Sequence, residues 1–271
     1  MRKLGSKKIG LVGVGNMGTS ILEGILKNNI LTHSNIWVYD KISEKAKNFS
    51  KKTHVHIASS IKELCQKTDV LLLGIKPQDF SDFASMNKSF LKKKHCIISI
   101  LAGLTTERIQ KALGKELFVV RAMPNLCAKV GESMTILCGK NRGWLSYAKI
   151  LFAGCGVVAV LPEKKLDLVT AVSGSGPAYF FHLMELMTDF GVKQGLPEKV
   201  AATLAVQTGV GATLLAKGSE FSCQALREKV TSKKGTTEAA LNILKQKKFG
   251  KIFHQALRAA MRRSRALRRR M

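Results

Sequence analysis

The segment Lys7–Leu26, KKIGLVGVGNMGTSILEGIL, decides the fold of this chain. The short apolar run Ile9–Val12 stands between lysines and a glycine-rich turn, as is typical of a buried parallel strand. The turn Gly13–Gly18 follows, and apolar residues then recur at helical spacing. A strand, a GxGxxG turn and a helix in this order predict a dinucleotide-binding unit, with an ordinary glycine-rich turn as the alternative.

Each glycine of this turn has a physical task. Gly13 permits a tight turn, Gly15 allows a pyrophosphate to approach the backbone, and Gly18 lets the helix pack closely on the strand. The unpaired N–H groups at the helix start, and the positive end of its dipole, then attract phosphates.

Length and composition favour a globular protein of one large or two medium domains, because 45% of the 271 residues are apolar. No segment is expected to be long enough to span a bilayer, and the basic start lacks a signal-peptide cleavage site. The six cysteines form no CxxC pair, which predicts buried free thiols in a reducing compartment, so a cytoplasmic location is expected. The dispersed histidines and cysteines lack metal-ligand spacing, so no metal is expected.

The net charge of +27 would attract nucleic acid, anionic membranes or anionic metabolites without specificity. A lysine-rich solvated surface is the plainer interpretation, because the lysines are spread along the chain. Seven arginines, however, fall between Arg258 and Arg270. A second hypothesis is therefore a nucleic-acid-binding module that keeps its fold and binds phosphates non-specifically through this basic tail. No recognition motif indicates that it reads a base sequence.

Strand-like and helix-like segments alternate as far as about Leu161. Beyond the first strand, further strands are predicted at Ile36–Tyr39, Val55–Ala58, Val70–Ile75, Cys96–Ile100, Leu117–Ala122, Ser133–Cys138 and Val157–Leu161. This alternation predicts an α/β fold with a doubly wound, mostly parallel sheet. From Pro162 onward the pattern is helical, which predicts a Rossmann-like domain over 1–162 and an all-helical domain over 163–271.

Two positions at strand ends are candidate cofactor contacts. Asp40 lies 22 residues after Gly18, where a carboxylate would accept the hydroxyls of an adenosine ribose. Lys41 and Lys45 could instead meet a 2′-phosphate, and a simple surface charge at Asp40 is a further alternative. The turn Lys76-Pro77-Gln78 follows a strand at its carboxyl end, where open α/β sheets bind ligands.

Two interruptions mark the helical half. The segment 169–179 breaks one helix and restarts another, with Ser175 or Gly176 as cap and Pro177 in the first turn. The polar turn 231–237 stands directly before a helix, so its N–H groups could hold a carboxylate. Ordinary helix capping is the alternative for both.

One helical face of this half is rich in small residues and is expected to bury against a second subunit. Its residues are Ala201, Leu204, Ala205, Thr208 and Ala212.

Six motifs together resemble the pyrroline-5-carboxylate reductase family, over about Lys7 to Lys247. They are VGVGNMG (12–18), IKPQ (75–78), RAMPN (121–125), VGE (130–132), VSGSGPAY (172–179) and VTSKKGTT (230–237). The resemblance implies reduction of the cyclic imine Δ1-pyrroline-5-carboxylate to L-proline by NADPH or NADH. It also implies a homodimer of interlocking helical domains, sometimes assembled further. A different Rossmann oxidoreductase, acting on another imine or a hydroxyacid, is the alternative within this fold.

The resemblance also implies a role for each matching residue. Those implied to bind the cofactor are Gly13, Gly15, Asn16, Met17 and Gly18 at the pyrophosphate, with Lys76, Pro77, Gln78, Ala102 and Asn125 around the rest. Asp40 joins this set on its position alone. Those implied to bind the substrate are Ser175, Gly176, Pro177, Gly235, Thr236 and Thr237. Thr237 is the implied catalytic residue, because its hydroxyl would face the imine nitrogen.

The chain departs from the family pattern at three places. Leu126-Cys127 stands where the family has Thr-Pro, and Leu101 replaces an alanine. Lys233-Lys234 replaces Pro-Gly before the last glycine motif, which suits an anionic substrate but is expected to loosen the loop. The arginine-rich end lies outside the resemblance.

Overall fold

The computed structural model describes residues 7–114 and 116–270. Its strands are β1 Ile9–Val12, β2 Ile36–Tyr39, β3 His56–Ile57, β4 Val70–Leu73, β5 Cys96–Ser99, β6 Phe118–Met123, β7 Ser133–Gly139 and β8 Gly156–Val160. Its first seven α-helices are α1 Asn16–Lys27, α2 Ser43–Thr53, α3 Ile61–Lys67, α4 Phe80–Asn87, α5 Thr106–Leu113, α6 Arg142–Ala153 and α7 Leu166–Val169. Five more follow: α8 Gly176–Lys193, α9 Glu198–Gly218, α10 Cys223–Lys229, α11 Thr236–Gln246 and α12 Phe249–Arg270.

The strands form one sheet in the order β3-β2-β1-β4-β5-β6-β7-β8. All neighbouring strands run parallel except β6 and β7, which are antiparallel. The strand order turns back between β1 and β4, which pair in register from Ile9 opposite Val70. The predicted doubly wound, mostly parallel sheet is therefore confirmed, and the gap beyond the carboxyl ends of β1 and β4 is the switch point at which such sheets bind ligands.

The central strands are buried on both faces because helices cover each side. All four residues of β1, β4 and β5 are buried. Leu11 belongs to one apolar cluster with residues of α1 and α6, and the next residue, Val12, belongs to a second cluster with residues of α3. This arrangement explains why these strands are continuous apolar runs instead of alternating ones.

The chain divides into two compact units, and the division differs from the predicted boundary after residue 162. One unit comprises the described residues up to Ser175 together with 260–270, and the other comprises Gly176–Ala259. Residues 163–175 join the first unit because Glu163 and Asp167 form polar contacts there. As a functional domain boundary, the division between 162 and 163 stays a prediction.

The described part of the chain after Leu161 is helical, as the sequence indicates. In the second unit, α8 packs on α9 through small residues: a methyl group added at Gly191 would lie 2.9 Å from the Cβ of Ala201. Of the predicted small-residue face on α9, Ala201 and Ala205 are buried. Leu204, Thr208 and Ala212 are exposed in the single chain.

Within the described residues, α9 is the one helix long and apolar enough to cross a membrane by length and composition alone. The expectation that no segment reaches this length is therefore wrong. The pattern arises because alanine, glycine and valine occupy most of the helix with few charges. Only 11% of its most apolar window is buried within the chain.

The basic end is a helix, not a free tail. Residues 260–270 continue α12 and belong to the first unit, in which the side chain of Ser264 is buried. The sequence places these residues outside any packed element because a run of arginines normally indicates a solvated segment.

Candidate functional site

The turn between β1 and α1 leaves helix N–H groups free for a ligand. Gly15 is the N-cap of α1, and no side chain caps the first turn of this helix. A methyl group added at Gly15 would meet no atom within 4 Å. The space beside Gly15 is thus open, and it lies where unpaired N–H groups and the helix dipole favour a phosphate. A dinucleotide pyrophosphate fits this cradle.

Gly13 and Gly18 are required for reasons of packing. Gly13 has a φ of +91°, and its added methyl group would lie 2.9 Å from the backbone of Gly74 and Ile75. The same addition at Gly18 would come within 2.8 Å of the Leu11 side chain. These two glycines therefore bring β1, β4 and α1 close together, as the sequence predicts, while Asn16 and Met17 form the first turn of the helix between them.

Asp40 lies beside the glycine turn. Its Oδ2 accepts the N–H of Val14 at 2.7 Å, and its Oδ1 accepts the N–H of Ile42 at 2.8 Å. The carboxylate therefore holds the turn in place and retains further lone pairs for a ligand. Beside it, Lys41 makes an exposed ion pair with Asp79 at 3.4 Å.

The turn after β4 lies at the same edge of the sheet. Pro77 begins a short 3-10 helix over Pro77–Asp79, and the side chains of Lys76 and Gln78 are exposed. Ala102 follows the neighbouring strand β5. The structure thus brings the predicted cofactor residues of β1, β2, β4 and β5 to one edge, the carboxyl ends of the parallel strands.

Asn125 is buried and its side chain is already engaged within the protein. Its Oδ1 accepts the N–H of Cys127 at 3.1 Å, and its Nδ2 donates to the carbonyl of Ser173 at 3.0 Å. Ser173 lies in a π-helical turn, Thr170–Gly174, which the N–H of Ser175 closes by donating to Thr170. Asn125 therefore positions the segment that leads to Ser175, and this role adds to the cofactor contact that the resemblance implies.

An ion pair between the buried Arg121 and the half-buried Glu163 joins β6 to the short helical turn before α7, and the sequence motifs do not predict it. Arg121 is 4% exposed, and its guanidinium donates to Glu163 at 2.8 Å. Glu163 also accepts the N–H and the hydroxyl of Thr106 at 2.8 and 2.7 Å. Burial raises the pKa of Glu163, but hydrogen bonds from Arg121 and Thr106 outweigh it, so the pKa lies below its ordinary value. An arginine inside an apolar strand is the signal that could have revealed this pair, because a buried charge needs a partner.

The second unit carries the remaining predicted residues. Gly176 and Pro177 begin α8, and Gly235 is the N-cap of α11, with an extended backbone. A side chain at Gly235 would collide with the hydroxyl of Ser232 and lie 3.0 Å from its carbonyl. Thr236 is exposed and Thr237 is half-buried.

The loop before α11 has a strained residue. Lys234 has a φ of +58°, a left-handed conformation that lysine rarely adopts. Its N–H donates to the Glu238 carboxylate at 2.7 Å, which fixes the loop against the helix start. This geometry explains the glycine that the family pattern has at this position, because glycine adopts a positive φ without steric cost.

Four of the six cysteines lie in the core of the first unit. Cys65, Cys96, Cys138 and Cys155 are buried free thiols, and burial raises the pKa of Cys65 to about 11. Among the described residues, no three His, Cys, Asp or Glu side chains are grouped to hold a metal ion.

Two family models match parts of this chain. Residues 8–103 match the family model "NADP oxidoreductase coenzyme F420-dependent", and residues 163–267 match "Pyrroline-5-carboxylate reductase dimerisation". With the glycine turn at the switch point, these matches define an oxidoreductase of the Rossmann class joined to a helical dimerisation module.

The full-length relatives narrow this class. Pyrroline-5-carboxylate reductase of Methanosarcina acetivorans is 34% identical over 265 residues, covering 97% of this chain and 98% of the relative. Pyrroline-5-carboxylate reductase 1 of Bacillus subtilis is 33% identical, covering 96% and 89%. The chain belongs to the pyrroline-5-carboxylate reductase family.

Solved structures agree with this assignment. Pyrroline carboxylate reductase of Plasmodium falciparum, solved with NADP bound, superposes with a TM-score of 0.87 at 30% identity, covering 97% of this chain and 98% of that one. The reductase of Coxiella burnetii gives a TM-score of 0.89 at 32% identity with the same coverage.

Proposed function

We propose that this protein reduces the cyclic imine Δ1-pyrroline-5-carboxylate to L-proline with NADPH or NADH. The observation that carries this proposal is the family membership over nearly the whole chain, together with an open phosphate cradle at Gly15. The residues of the glycine turn and of the α11 start both have the backbone geometry that this chemistry needs.

The cofactor binds at the carboxyl edge of the sheet in this proposal. The N–H groups at the start of α1 hold the pyrophosphate between Gly13 and Gly18, while Asn16 and Met17 supply the first turn. Asp40 accepts ribose hydroxyls, and Lys76, Pro77, Gln78 and Ala102 line the remaining surface of the cofactor. Asn125 holds the adjoining loop. When bound, the reduced nicotinamide supplies the hydride.

The substrate carboxylate binds at the start of α11. Gly235 lets the backbone approach closely, and the N–H groups of Thr236 and Thr237 have no partner inside the helix. A carboxylate gains charge-assisted hydrogen bonds there, and Lys233 and Lys234 add positive potential. In this proposal Ser175, Gly176 and Pro177 also shape the substrate site.

Thr237 is the proposed catalytic residue. A protonated imine accepts hydride at carbon far better than a neutral imine, so a hydroxyl beside the ring nitrogen promotes the reaction. In the described part of the chain, the hydroxyls of Thr236 and Thr237 make no hydrogen bond, so the Thr237 hydroxyl is free to interact with the substrate.

We infer that the protein is a homodimer or a larger assembly of identical chains in the cytoplasm. The second unit exposes many large apolar side chains, among them Phe180, Phe181, Leu183, Leu214 and Leu215. Exposed apolar area on this scale marks an interaction surface. A second copy accounts for it better than a membrane, because these residues belong to the segment that matches the dimerisation family.

The direct test follows NADPH or NADH oxidation by purified protein with and without Δ1-pyrroline-5-carboxylate, with proline measured as product. We expect oxidation and proline only when the imine is present. Absence of proline with both cofactors, in protein that melts cooperatively, would overturn the proposal. Light scattering at micromolar concentration tests the assembly, and a monomer mass would contradict the homodimer.

A further inference from the structure

The last turns of α12 are fixed against the first unit. The hydroxyl of Ser264 donates to Asp167 Oδ1 at 2.8 Å, and Arg268 Nη1 lies 3.3 Å from Asp167 Oδ2. The guanidinium of Arg108 donates to the backbone carbonyl of Arg268. The buried carboxylate of Asp167 thus determines which face of this helical segment points inward, and consequently which residues face solvent.

The outward face of this segment carries unpaired arginines. Arg262, Arg263 and Arg265 are exposed, and none of them pairs with a carboxylate in the described part of the chain. Arg262 and Arg265 are three residues apart and share a face, separated by about 4.5 Å along the helix. The sequence of α12 contains no Asp or Glu. The helix therefore presents concentrated positive charge without internal neutralisation.

We propose that this arginine face of α12 binds the phosphate backbone of nucleic acid without sequence preference. A planar guanidinium group can donate two hydrogen bonds to one phosphate, and each phosphate that is neutralised in this way releases condensed counterions from the nucleic acid. The outward positions of 260–268 carry no aromatic side chain on which bases could stack, so binding rests on phosphate contacts, which carry no sequence information. The proposal is independent of the reductase activity.

A membrane surface fits this face less well. A helix lying on a bilayer inserts a band of large apolar side chains between the headgroups. In 260–268 the apolar residues Met261 and Leu267 are partly buried within the first unit, and only arginines are exposed. Charge without an accessible apolar band suits a polyanion in water.

The test compares two triple variants of the full-length protein with equal charge change. The first is Arg262→Gln, Arg263→Gln, Arg265→Gln. The matched control, Lys51→Gln, Lys52→Gln, Lys62→Gln, removes three exposed charges elsewhere on the first unit. Fluorescence anisotropy with a labelled 20-nucleotide poly(U) probe gives the Kd between 50 and 200 mM KCl. A DNA duplex of equal length and phosphatidylserine vesicles serve as separate probes.

We expect the arginine variant to bind poly(U) on the order of a hundredfold more weakly at 50 mM KCl. The slope of log K against log salt should fall by about 2, because each phosphate contact contributes about 0.7 on a single strand. The lysine control should change affinity less than about threefold. If both variants lost the same affinity for poly(U), binding would depend on net charge alone. If the arginine variant lost only its affinity for vesicles, the arginine face would bind a membrane. Either result, or unchanged poly(U) binding, overturns the proposal. Unchanged melting of both variants confirms that the fold is intact.

Discussion

Replacing Lys234 by glycine should stabilise the protein. The φ of Lys234 is +58°, and a left-handed conformation costs a non-glycine residue about 1–2 kcal/mol. Glycine removes this cost but increases the entropy of the unfolded chain, an effect of about 0.4–1 kcal/mol in the opposite direction. The hydrogen bond from the residue 234 N–H to Glu238 is a backbone contact and survives the substitution. The net gain in the free energy of unfolding is therefore about 1 kcal/mol.

Thermal melting at fixed protein concentration measures this gain. A gain of about 1 kcal/mol raises the Tm of a chain of this size by roughly 2–4 °C. Two matched variants separate backbone strain from lost charge. Lys233→Gly removes a charge from the same loop at a residue without positive φ, so it should destabilise the protein by about 0.5–1 kcal/mol. Lys248→Gly relieves a φ of +56° at the end of α11 and should stabilise it like Lys234→Gly.

The reasoning is refuted if Lys234→Gly leaves the Tm unchanged or lowers it while Lys248→Gly raises it. That result would mean that the lysine side chain contributes more than its backbone costs. The same variants report on substrate binding: loss of the charge at residue 234 should raise the KM for the imine without a matching fall in kcat, because the positive potential acts on binding.

Other perturbations test the cofactor cradle, the proton donor and the pH dependence. Gly15→Ala should leave the Tm unchanged, because the added methyl group meets no protein atom, and should raise the KM for the cofactor at least tenfold; a folded variant with normal KM would contradict the cradle. Thr237→Val should lower kcat by about a hundredfold or less with little change in KM, while the control Thr236→Val keeps most of the activity; equal effects would assign both to packing. Burial lowers the pKa of His95 below 6.5, so the free energy of unfolding should be highest above pH 6.5 and fall as the pH drops below that value. The urea midpoint of His95→Gln should depend less on pH over this range than that of the natural protein, and equal dependence would contradict the assignment. Asp40→Asn should raise the ratio of kcat/KM for NADPH to that for NADH by about tenfold, and an unchanged ratio would reject the ribose contact.

The neutral state of His95 rests on geometry as well as on burial. Its Nδ1 accepts the N–H of Lys92 at 2.8 Å, and its Nε2 donates to the carbonyl of Cys65 at 2.9 Å. A second proton would have to sit on Nδ1, directly opposite the N–H of Lys92. Burial is the largest cause of the lowered pKa, and the charges of Lys94 and Lys92 add to it, whereas the hydrogen bond to Cys65 and the charge of Asp69 favour the protonated form. Below pH 6.5 the unfolded chain therefore binds a proton at His95 that the folded chain does not bind, so the free energy of unfolding decreases as the pH falls.

Short sequence patterns predict most of the sheet and its glycine turn, because each of these elements depends on residues that are close together in the sequence. The glycine turn at Gly13–Gly18 follows from spacing, and the buried strands follow from uninterrupted apolar runs. The N-caps Ser60 and Thr105 also act as sequence rules predict, since each side chain accepts an N–H of the first helical turn. The direction of β7 does not follow from its sequence, because a strand that is buried along most of its length can pair in either direction, and only the path of the chain decides.

Contacts between distant residues account for what the sequence could not predict. Asp167 meets Ser264 across 97 residues, and Glu163 meets Arg121 across 42. Neither pair produces a periodic pattern in the sequence, so the sequence predicts a solvated basic tail where the structure has a packed helix. The backbone of Lys234 could not be predicted from the residue type either. Its positive φ is imposed by the path of the loop, and a lysine in the sequence does not indicate a left-handed conformation.

Asp40 shows why sequence left the ribose, phosphate and surface-charge roles open. Asp40 directly follows β2, 22 residues after Gly18, which is the position that a ribose contact requires. The structure adds that its carboxylate accepts the N–H of Val14 in the glycine turn. If Asp40 also accepts the ribose hydroxyls, as proposed, one side chain couples the pyrophosphate turn to the ribose site. Removing the whole side chain would release the turn and weaken both cofactors, which would conceal any change in preference. Asparagine keeps one acceptor for the backbone while it removes the charge that repels a 2′-phosphate, so it is the substitution that separates the two roles.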